Sequence, residues 1–327
     1  MKELQPLVSF IIPAFNEAEN VPLIHDELRR EFDMLDYQYE ILFIDDGSSD
    51  NTLFILQDLA DQFEEVKYIS FTRNFGKEAA LLAGLEHAKG DAIIIIDADL
   101  QHPVSLIPDM LEGFEEGFDQ VIAQRNRKGD SKLRTSLSKL YYVIINKLVD
   151  VDLKNGVGDF RLLSRRAVDA MLKLKEGNRF SKGLFSWIGY DQKIIHYENV
   201  QRQKGDSKWS LSGLVNYGID GMISFNLKPL RICLYMGISI LLLSLVYITI
   251  MFVQVFREGV SVPGYFTTIS AVLFLGGLHL FSLGIIGEYI GRIYYEAKQR
   301  PHYLVQDTNV REESQEERNE AARYRVH

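Results

Sequence analysis

The residues in this sequence best suited to chemistry are Asp97-Ala98-Asp99-Leu100-Gln101, directly after the apolar run Ala92–Ile96. In an extended strand end, Asp97, Asp99 and Gln101 face one side while Ala98 and Leu100 face the other. Three oxygen-bearing side chains at the mouth of a sheet suit a hard cation. Magnesium or manganese takes one or two carboxylates and completes its shell with diphosphate oxygens and water. Such a cation neutralises charge on a departing nucleoside diphosphate. A lone D-x-D is common in loops after strands; the apolar strand before it and Gln101-His102-Pro103 after it strengthen the signal.

A second acidic corner, Asp45-Asp46-Gly47-Ser48, follows the run Glu40–Ile44. A carboxylate here can accept hydrogen bonds from a base N–H or a ribose hydroxyl, and Gly47 permits a tight turn. Standing alone, the motif reads equally as turn chemistry with a helix cap from Ser48 or Asp50. Together with Pro13-Ala14-Phe15-Asn16-Glu17 after the first apolar run, three strand ends present polar groups, which describes a nucleotide cleft.

The elements that must position these residues are legible in the first 125 positions. Leu7–Ile12, Glu40–Ile44, Val66–Phe71, Ala92–Ile96 and Gln120–Ala123 read as short buried strands. Between them Asn20–Leu35, Thr52–Phe63, Lys77–Ala88 and Pro103–Glu116 read as helices. That rhythm predicts an α/β domain with a mostly parallel, Rossmann-like sheet whose ligands sit at the carboxyl ends of the strands. Neither G-x-G-x-x-G after a strand nor G-x-x-x-x-G-K-[ST] occurs, so dinucleotide and P-loop readings fail.

Composition changes along the chain. Its 327 residues carry a net charge of −9, which argues against a nucleic-acid partner. The single cysteine, Cys233, excludes an intrachain disulfide or a cysteine-cluster zinc site. The first apolar run is broken by Pro13 and lacks a small-residue cleavage site, so it reads as a strand and not a signal peptide. Ile232–Phe256 offers 25 residues without a formal charge and Val260–Gly287 offers 28, with His279 its one ionisable group. Spanning a bilayer takes about 20 apolar residues, so a two-helix transmembrane hairpin is expected over 230–290. Lys228, Arg231, Arg292, Lys298 and Arg300 flank its open end and Arg257 marks its loop; the positive-inside rule then places both chain ends in the cytoplasm. His279 reads as a helix-interface residue, and Glu288 with Arg292 as an i,i+4 surface pair.

Two further segments carry apolar residues on one helical face: Ser131–Asp150 and Trp209–Phe225. The first is surrounded by Arg125, Arg127, Lys128, Lys132, Arg134 and Lys139, and the second runs directly into the first span. Both are expected to lie on the membrane surface. The tail after Pro301 is highly charged and is expected to be mobile or a solvated helix.

The ordered set P-A-F-N-E, D-D-G-S, R-N-F-G-K-E-A-A-L, D-A-D-L-Q-H-P, G-D-F-R-L and R-x-x-G-x-S-K resembles family 2 glycosyltransferases of GT-A fold. The branch it looks most like is that of dolichyl-phosphate mannose synthase and the bacterial undecaprenyl-phosphate (bactoprenol) glycosyltransferases. The match extends over residues 7–300, including Gly287-Glu288-Tyr289-Ile290-Gly291-Arg292.

This resemblance implies a GT-A domain over residues 1–208, an interfacial helix over 209–229, the hairpin over 230–290 and a cytoplasmic tail over 291–327. It implies that Pro13, Phe15, Glu17, Asp45, Asp46 and Asp97 bind the nucleoside, with Asp45 and Asp46 both open as the base contact, and that Asp99 and Gln101 hold the metal. Arg202 and Lys208 would bind donor diphosphate or acceptor phosphate, offsetting the repulsion where phosphates meet. Asp159 would lie near the acceptor, as a general base or as a group that orients it, since a lipid phosphate is already ionised. The implied reaction is an inverting, metal-dependent transfer from a nucleotide-diphosphate sugar, UDP-linked by analogy with the bacterial branch, to a polyprenyl phosphate at the cytoplasmic membrane face. A processive polysaccharide synthase would carry Q-x-x-R-W and more spans than two, and a silent nucleotide-sugar sensor would have no use for Asp97, Asp99 and Gln101 together. The sugar and the oligomeric state, homo-oligomer included, stay open.

Overall fold

The computed structural model describes residues 6–126, 157–177, 179–198 and 264–311, with scattered helical residues between 235 and 257. Both expected interfacial helices, Arg202 and Lys208 lie outside the described residues.

The chain begins β1 (Leu7–Ala14), α1 (Val21–Phe32), β2 (Gln38–Asp45), α2 (Thr52–Gln62), β3 (Val66–Phe71), α3 (Lys77–His87) and β4 (Ala92–Ile95). Four parallel strands result, in the order 4-1-2-3, each entered through a helix as the alternating signals require. Two buried clusters sandwich them. Phe10 and Ile12 of β1 pack with Ile24 and Leu28 of α1 on one face. Ile11 packs with Ala80 and Ala83 of α3 on the other. The period-2 alternation of the strand is what divides β1 between the two layers.

After a 3-10 turn (Val104–Leu106), α4 (Ile107–Glu115) leads to β5 (Gln120–Asn126). A strand unassigned by sequence, β6 (Val157–Ser164), then enters between β4 and β5, antiparallel to both. α5 (Arg165–Lys173), α6 (Ser181–Trp187) and β7 (Gln192–Glu198) follow, β7 lying parallel to β5 at one edge. The sheet is therefore parallel around β1 and mixed beyond β4.

The register between β4 and β6 places the chemistry. Ile95 lies opposite Arg161, so two residues further on Asp97 and Asp159 come level at the same sheet end.

A single helix, α7 (Tyr265–Ala297), carries 33 residues, about 50 Å at 1.5 Å per residue. Its segment Phe274–Ala297 is, among the described residues, the one helix long and apolar enough to cross a membrane. Leu280, Phe281 and Leu283 are all more than half exposed, which suits a lipid surround and not water. Because about 30 Å of hydrocarbon needs only about 20 residues, α7 is longer than such a layer requires.

The tail departs from expectation over residues 301–311. It turns back and forms β8 (Val305–Thr308), antiparallel to β3 at the sheet's other edge. The reason is the open edge of β3, which offers unpaired backbone groups that local polarity cannot reveal.

Candidate active site

The cleft is built from the carboxyl ends of β1, β2 and β4 and the amino end of antiparallel β6. At the end of β1, Asn16 adopts φ 54°, and its backbone N–H donates to the Ser48 hydroxyl at 2.8 Å. Its carboxamide oxygen accepts from the Ser49 N–H at 2.8 Å. The Glu17 N–H donates to the Thr52 hydroxyl, and the Glu17 carboxylate accepts from Asn20 at the start of α1. Pro13, Phe15 and Glu17 are half-buried along this edge.

At the end of β2, both acids are turned inward. Asp45 is 1% exposed and accepts from the Ser48 N–H at 3.0 Å and the Ser70 hydroxyl at 2.7 Å. Asp46 accepts from the Phe75 N–H at 2.6 Å and from the Gly76 N–H at 2.9 Å. It thus fastens the turn that opens α3. Gly47 sits at φ 65° with the Arg73 backbone so close that a Cβ would fall 2.3 Å from its carbonyl carbon. Only glycine satisfies both conditions.

At the end of β4 the chain does not stay extended. The strand stops at Ile95, residues 98–100 turn, and Leu100 takes φ 57°. Burying Ala98 and Leu100 against the core drives the turn and leaves Asp97, Asp99 and Gln101 half-buried beside one another. Asn16 and Leu100 hold left-handed backbone at the ends of the adjacent strands β1 and β4, the kind of local strain that gathers at functional sites.

Between the strand ends stands Lys77, the first residue of α3. Its Nζ lies 2.6 Å from Asp97 Oδ1 and 2.6 Å from Asp159 Oδ2, so one ammonium bridges β4 and β6. The side chains of Lys77 and Asp97 keep 40% and 28% of their surface, which leaves the cluster open to a ligand. On the other side of Asp97, His102 Nε2 stands 3.6 Å from Oδ2. The Tyr197 hydroxyl of β7 lies 2.9 Å from His102 Nδ1. With Tyr197 donating to Nδ1, the ring proton sits on Nε2, facing Asp97.

Residues 9–172 match the model of "Glycosyl transferase family 2", and residues 228–293 match that of the "GtrB C-terminal hairpin". The chain is 64% identical, over 97% of its length and 96% of the relative's, to a Bacillus subtilis (strain 168) protein carrying the glycosyltransferase designation CsbB. It is 42% identical to glycosyltransferase sll0501 of Synechocystis sp., over 92% of this chain and 95% of that one. It is 40% identical to the bactoprenol glucosyl transferase of Shigella phage SfV, over 92% of this chain and 98% of that one. This chain belongs to glycosyl transferase family 2.

The charges of this glycosyltransferase cluster hold one another in their ionised forms. Burial disfavours the ammonium of Lys77, but Asp97 and Asp159 outweigh it and raise its pKa. Burial likewise opposes ionisation of Asp97, and Lys77 with His102 overcomes it, lowering its pKa. For Asp159 burial is overcome by Lys77 and Lys182, again lowering the pKa. Asp46 moves the other way: burial raises its pKa, partly offset by the Phe75 and Gly76 amides. Tyr197 is pushed up to about 12, mainly by burial, and so remains a neutral hydroxyl.

Among the described residues, no group of three or more His, Cys, Asp and Glu side chains is arranged to hold a metal alone. Asp97, Asp99 and Gln101 nonetheless fit the part magnesium or manganese asks of a transferase. All three are half-buried oxygen-bearing residues within one short turn after β4, and a cation held there would take most of its coordination shell from phosphate and water.

Of the residues singled out by sequence, the glycosyltransferase fold gathers Pro13, Phe15, Glu17, Asp45, Asp46, Asp97, Asp99, Gln101 and Asp159 around one cleft. Lys77, His102 and Tyr197 had no assigned role. Lys77 and His102 stand inside two of the motifs, R-N-F-G-K-E-A-A-L and D-A-D-L-Q-H-P, so their signal was present; Tyr197, on a distant strand, had none.

Proposed function

We propose that this glycosyltransferase moves a sugar from a nucleotide-diphosphate donor, a UDP-sugar, onto a polyprenyl phosphate such as undecaprenyl phosphate at the cytoplasmic face of a membrane. The observation that carries this reading is the level placement of Asp97 and Asp159 on β4 and β6 with Lys77 between them. On this reading Asp97 serves the donor and Asp159 the acceptor. Bactoprenol glucosyl transferase, the name of a relative matched over nearly the whole chain, supports the acceptor class.

Asp97, Asp99 and Gln101 would hold magnesium or manganese, which when bound offsets the charge of the departing diphosphate. Pro13, Phe15, Glu17 and the β2 corner form the nucleoside side, where buried Asp45 and Asp46 act by fixing Ser48 and the turn at Phe75-Gly76. Arg202 and Lys208 supply further phosphate contacts. Asp159 positions the acceptor. Its lowered pKa makes it a weak base, and an ionised phosphate has no proton to remove. Displacement by the acceptor oxygen at the anomeric carbon inverts its configuration.

Connectivity supports this membrane arrangement. The sheet contains both β1–β7, before the apolar segments, and β8, after them, so both lie on one side. Any crossing between residues 198 and 305 must then occur an even number of times. Two spans, with the α7 span as the second, satisfy that condition.

The test is mass spectrometry of lipid-linked products after incubating the full chain with undecaprenyl phosphate and a panel of UDP- and GDP-sugars, with metal and with excess EDTA. A glycosyl phospholipid formed only with metal is expected. Free sugar alone from every donor would refute the acceptor, and full turnover in chelator would remove the metal.

A further inference from the structure

We propose that the segment leaving the membrane helix, Glu296 to Asn309, is a positioning element of the catalytic centre: through Tyr303 it holds the turn that carries Lys77. The inference rests on the reading of Lys77, Asp97 and Asp159 as that centre.

The segment is fastened along its whole length. Glu296, in the last turn of α7, accepts from the Gly177 N–H at 2.8 Å. The Tyr303 ring stacks on Phe71 with centroids 4.7 Å apart and planes 18° apart, and its hydroxyl donates to Glu86 of α3. The Leu304 carbonyl accepts from the Thr72 N–H at 3.0 Å. Asp307 accepts from Gln57 at 2.7 Å and from the Tyr68 hydroxyl at 3.0 Å. Asn309 accepts from the Tyr68 N–H at 2.8 Å and donates to the Val66 carbonyl at 3.0 Å. Hydrogen bonds between side chains and the edge backbone on this scale specify one register for a four-residue strand that ladder pairing alone would leave weak.

Two lines run from this clamp to the first turn of α3. Phe71, under Tyr303, meets Phe75 edge-to-face at 5.9 Å, and Phe75 and Gly76 hang on Asp46 immediately before Lys77. The Gly177 contact lies four residues from Ser181, whose N–H and hydroxyl both donate to Glu78, the neighbour of Lys77. Thr72, Phe75 and Glu78 therefore bracket Lys77: Thr72 is held directly by Leu304, Phe75 through Phe71 by Tyr303, and Glu78 by Ser181, four residues along the chain from the Gly177 that Glu296 holds. Docking the domain on the bilayer would need only the edge pairing with β3; the Tyr303 hydroxyl goes further, reaching across to Glu86 of α3.

The experiment compares full-length wild type with Tyr303→Ala, Tyr303→Phe, Asp307→Ala and Lys77→Met. Each is measured for donor affinity and for kcat and KM with both undecaprenyl phosphate and a short, water-soluble prenyl phosphate. Misplacing a catalytic group by about 1 Å costs up to about a hundredfold, so Tyr303→Ala is expected to lower kcat by about tenfold or more with both acceptors. Donor affinity should fall less than kcat, since the Asn16, Glu17 and Asp45 contacts lie outside this line. Tyr303→Phe keeps the stack and should restore most of the rate. Asp307→Ala, which leaves the Tyr303 stack on Phe71 in place and removes the bonds from Gln57 and Tyr68, should lower kcat in the same direction and keeps the test open if Tyr303→Ala does not fold. A loss confined to the long-chain lipid, or no loss in kcat, would overturn the proposal. Wild-type turnover by Lys77→Met would instead bring down the reading of the centre, and the proposal with it.

Discussion

Replacing Lys77 with methionine removes the one charge that separates Asp97 from Asp159 while keeping a side chain of similar length. Both bridging distances are 2.6 Å, so the two carboxylate oxygens stand no more than about 5 Å apart. Two like charges at that distance repel by about 3 kcal/mol at an effective dielectric of about 20, the value suited to a cleft that water still reaches. In wild type, both carboxyls have folded pKa values below their unfolded ones. Their contribution is thus present above about pH 4 and is lost as pH falls through the lowered values. In Lys77→Met the sign reverses for one of the pair. Its folded pKa rises above the unfolded value because the remaining carboxylate repels its charge, so the repulsion is felt at neutral pH and relieved on acidification. The assay is thermal unfolding of the full-length protein in detergent with EDTA, from pH 5 to pH 8. A deficit of about 6–12 °C is expected at pH 7.5, from about 2–4 °C per kcal/mol for a domain of this size. It should shrink by about half or more on acidification. A variant melting within about 2 °C of wild type at pH 7.5, or one whose deficit does not change with pH, would refute the shared-cation account.

Three further outcomes follow from the geometry. Gly47→Ala must place a Cβ against the Arg73 backbone at positive φ and should destabilise by about 1–3 kcal/mol, read as a lowered melting temperature with loss of donor affinity; unchanged melting would sink that explanation. Asp159→Asn should mainly raise the lipid KM and leave the shape of the pH–rate profile unchanged. A fall of about a hundredfold in the single-turnover chemical step, with loss of the acidic limb, would make Asp159 the base instead. Asp99→Asn should abolish metal-dependent transfer, read as lipid-linked product formed with and without added metal; full transfer by this variant would remove Asp99 as a ligand.

Much of this protein was legible without a fold. The four strands β1–β4 and their helices lie within three residues of the boundaries read from hydrophobic runs, because each strand is buried on both faces and each helix packs one stripe. The acidic motifs fell at strand ends because a parallel sheet puts every strand-to-helix turn on one side. The apolar length of α7 announced itself for the same reason: lipid demands continuous hydrophobicity, and that is a property of sequence alone.

What the sequence left undetermined is non-local. Nothing near Asp159 says that β6 runs antiparallel between β4 and β5, yet that register alone sets it level with Asp97. The inward turn of Asp45 and Asp46, which makes them braces instead of exposed acceptors, depends on Ser70, Phe75 and Gly76 arriving from the next strand and helix. Lys77 became part of the site only when two strands from opposite halves of the domain met at its ammonium. The polar string Val305-Gln306-Asp307-Thr308 has no apolar period of its own. It is a strand because β3, some 235 residues earlier, presents an open edge with Tyr68, Gln57 and Val66 placed to receive it. Local periodicity records which face of an element is buried; which elements become neighbours is decided by packing across the whole chain, and there the charges of this site find their partners.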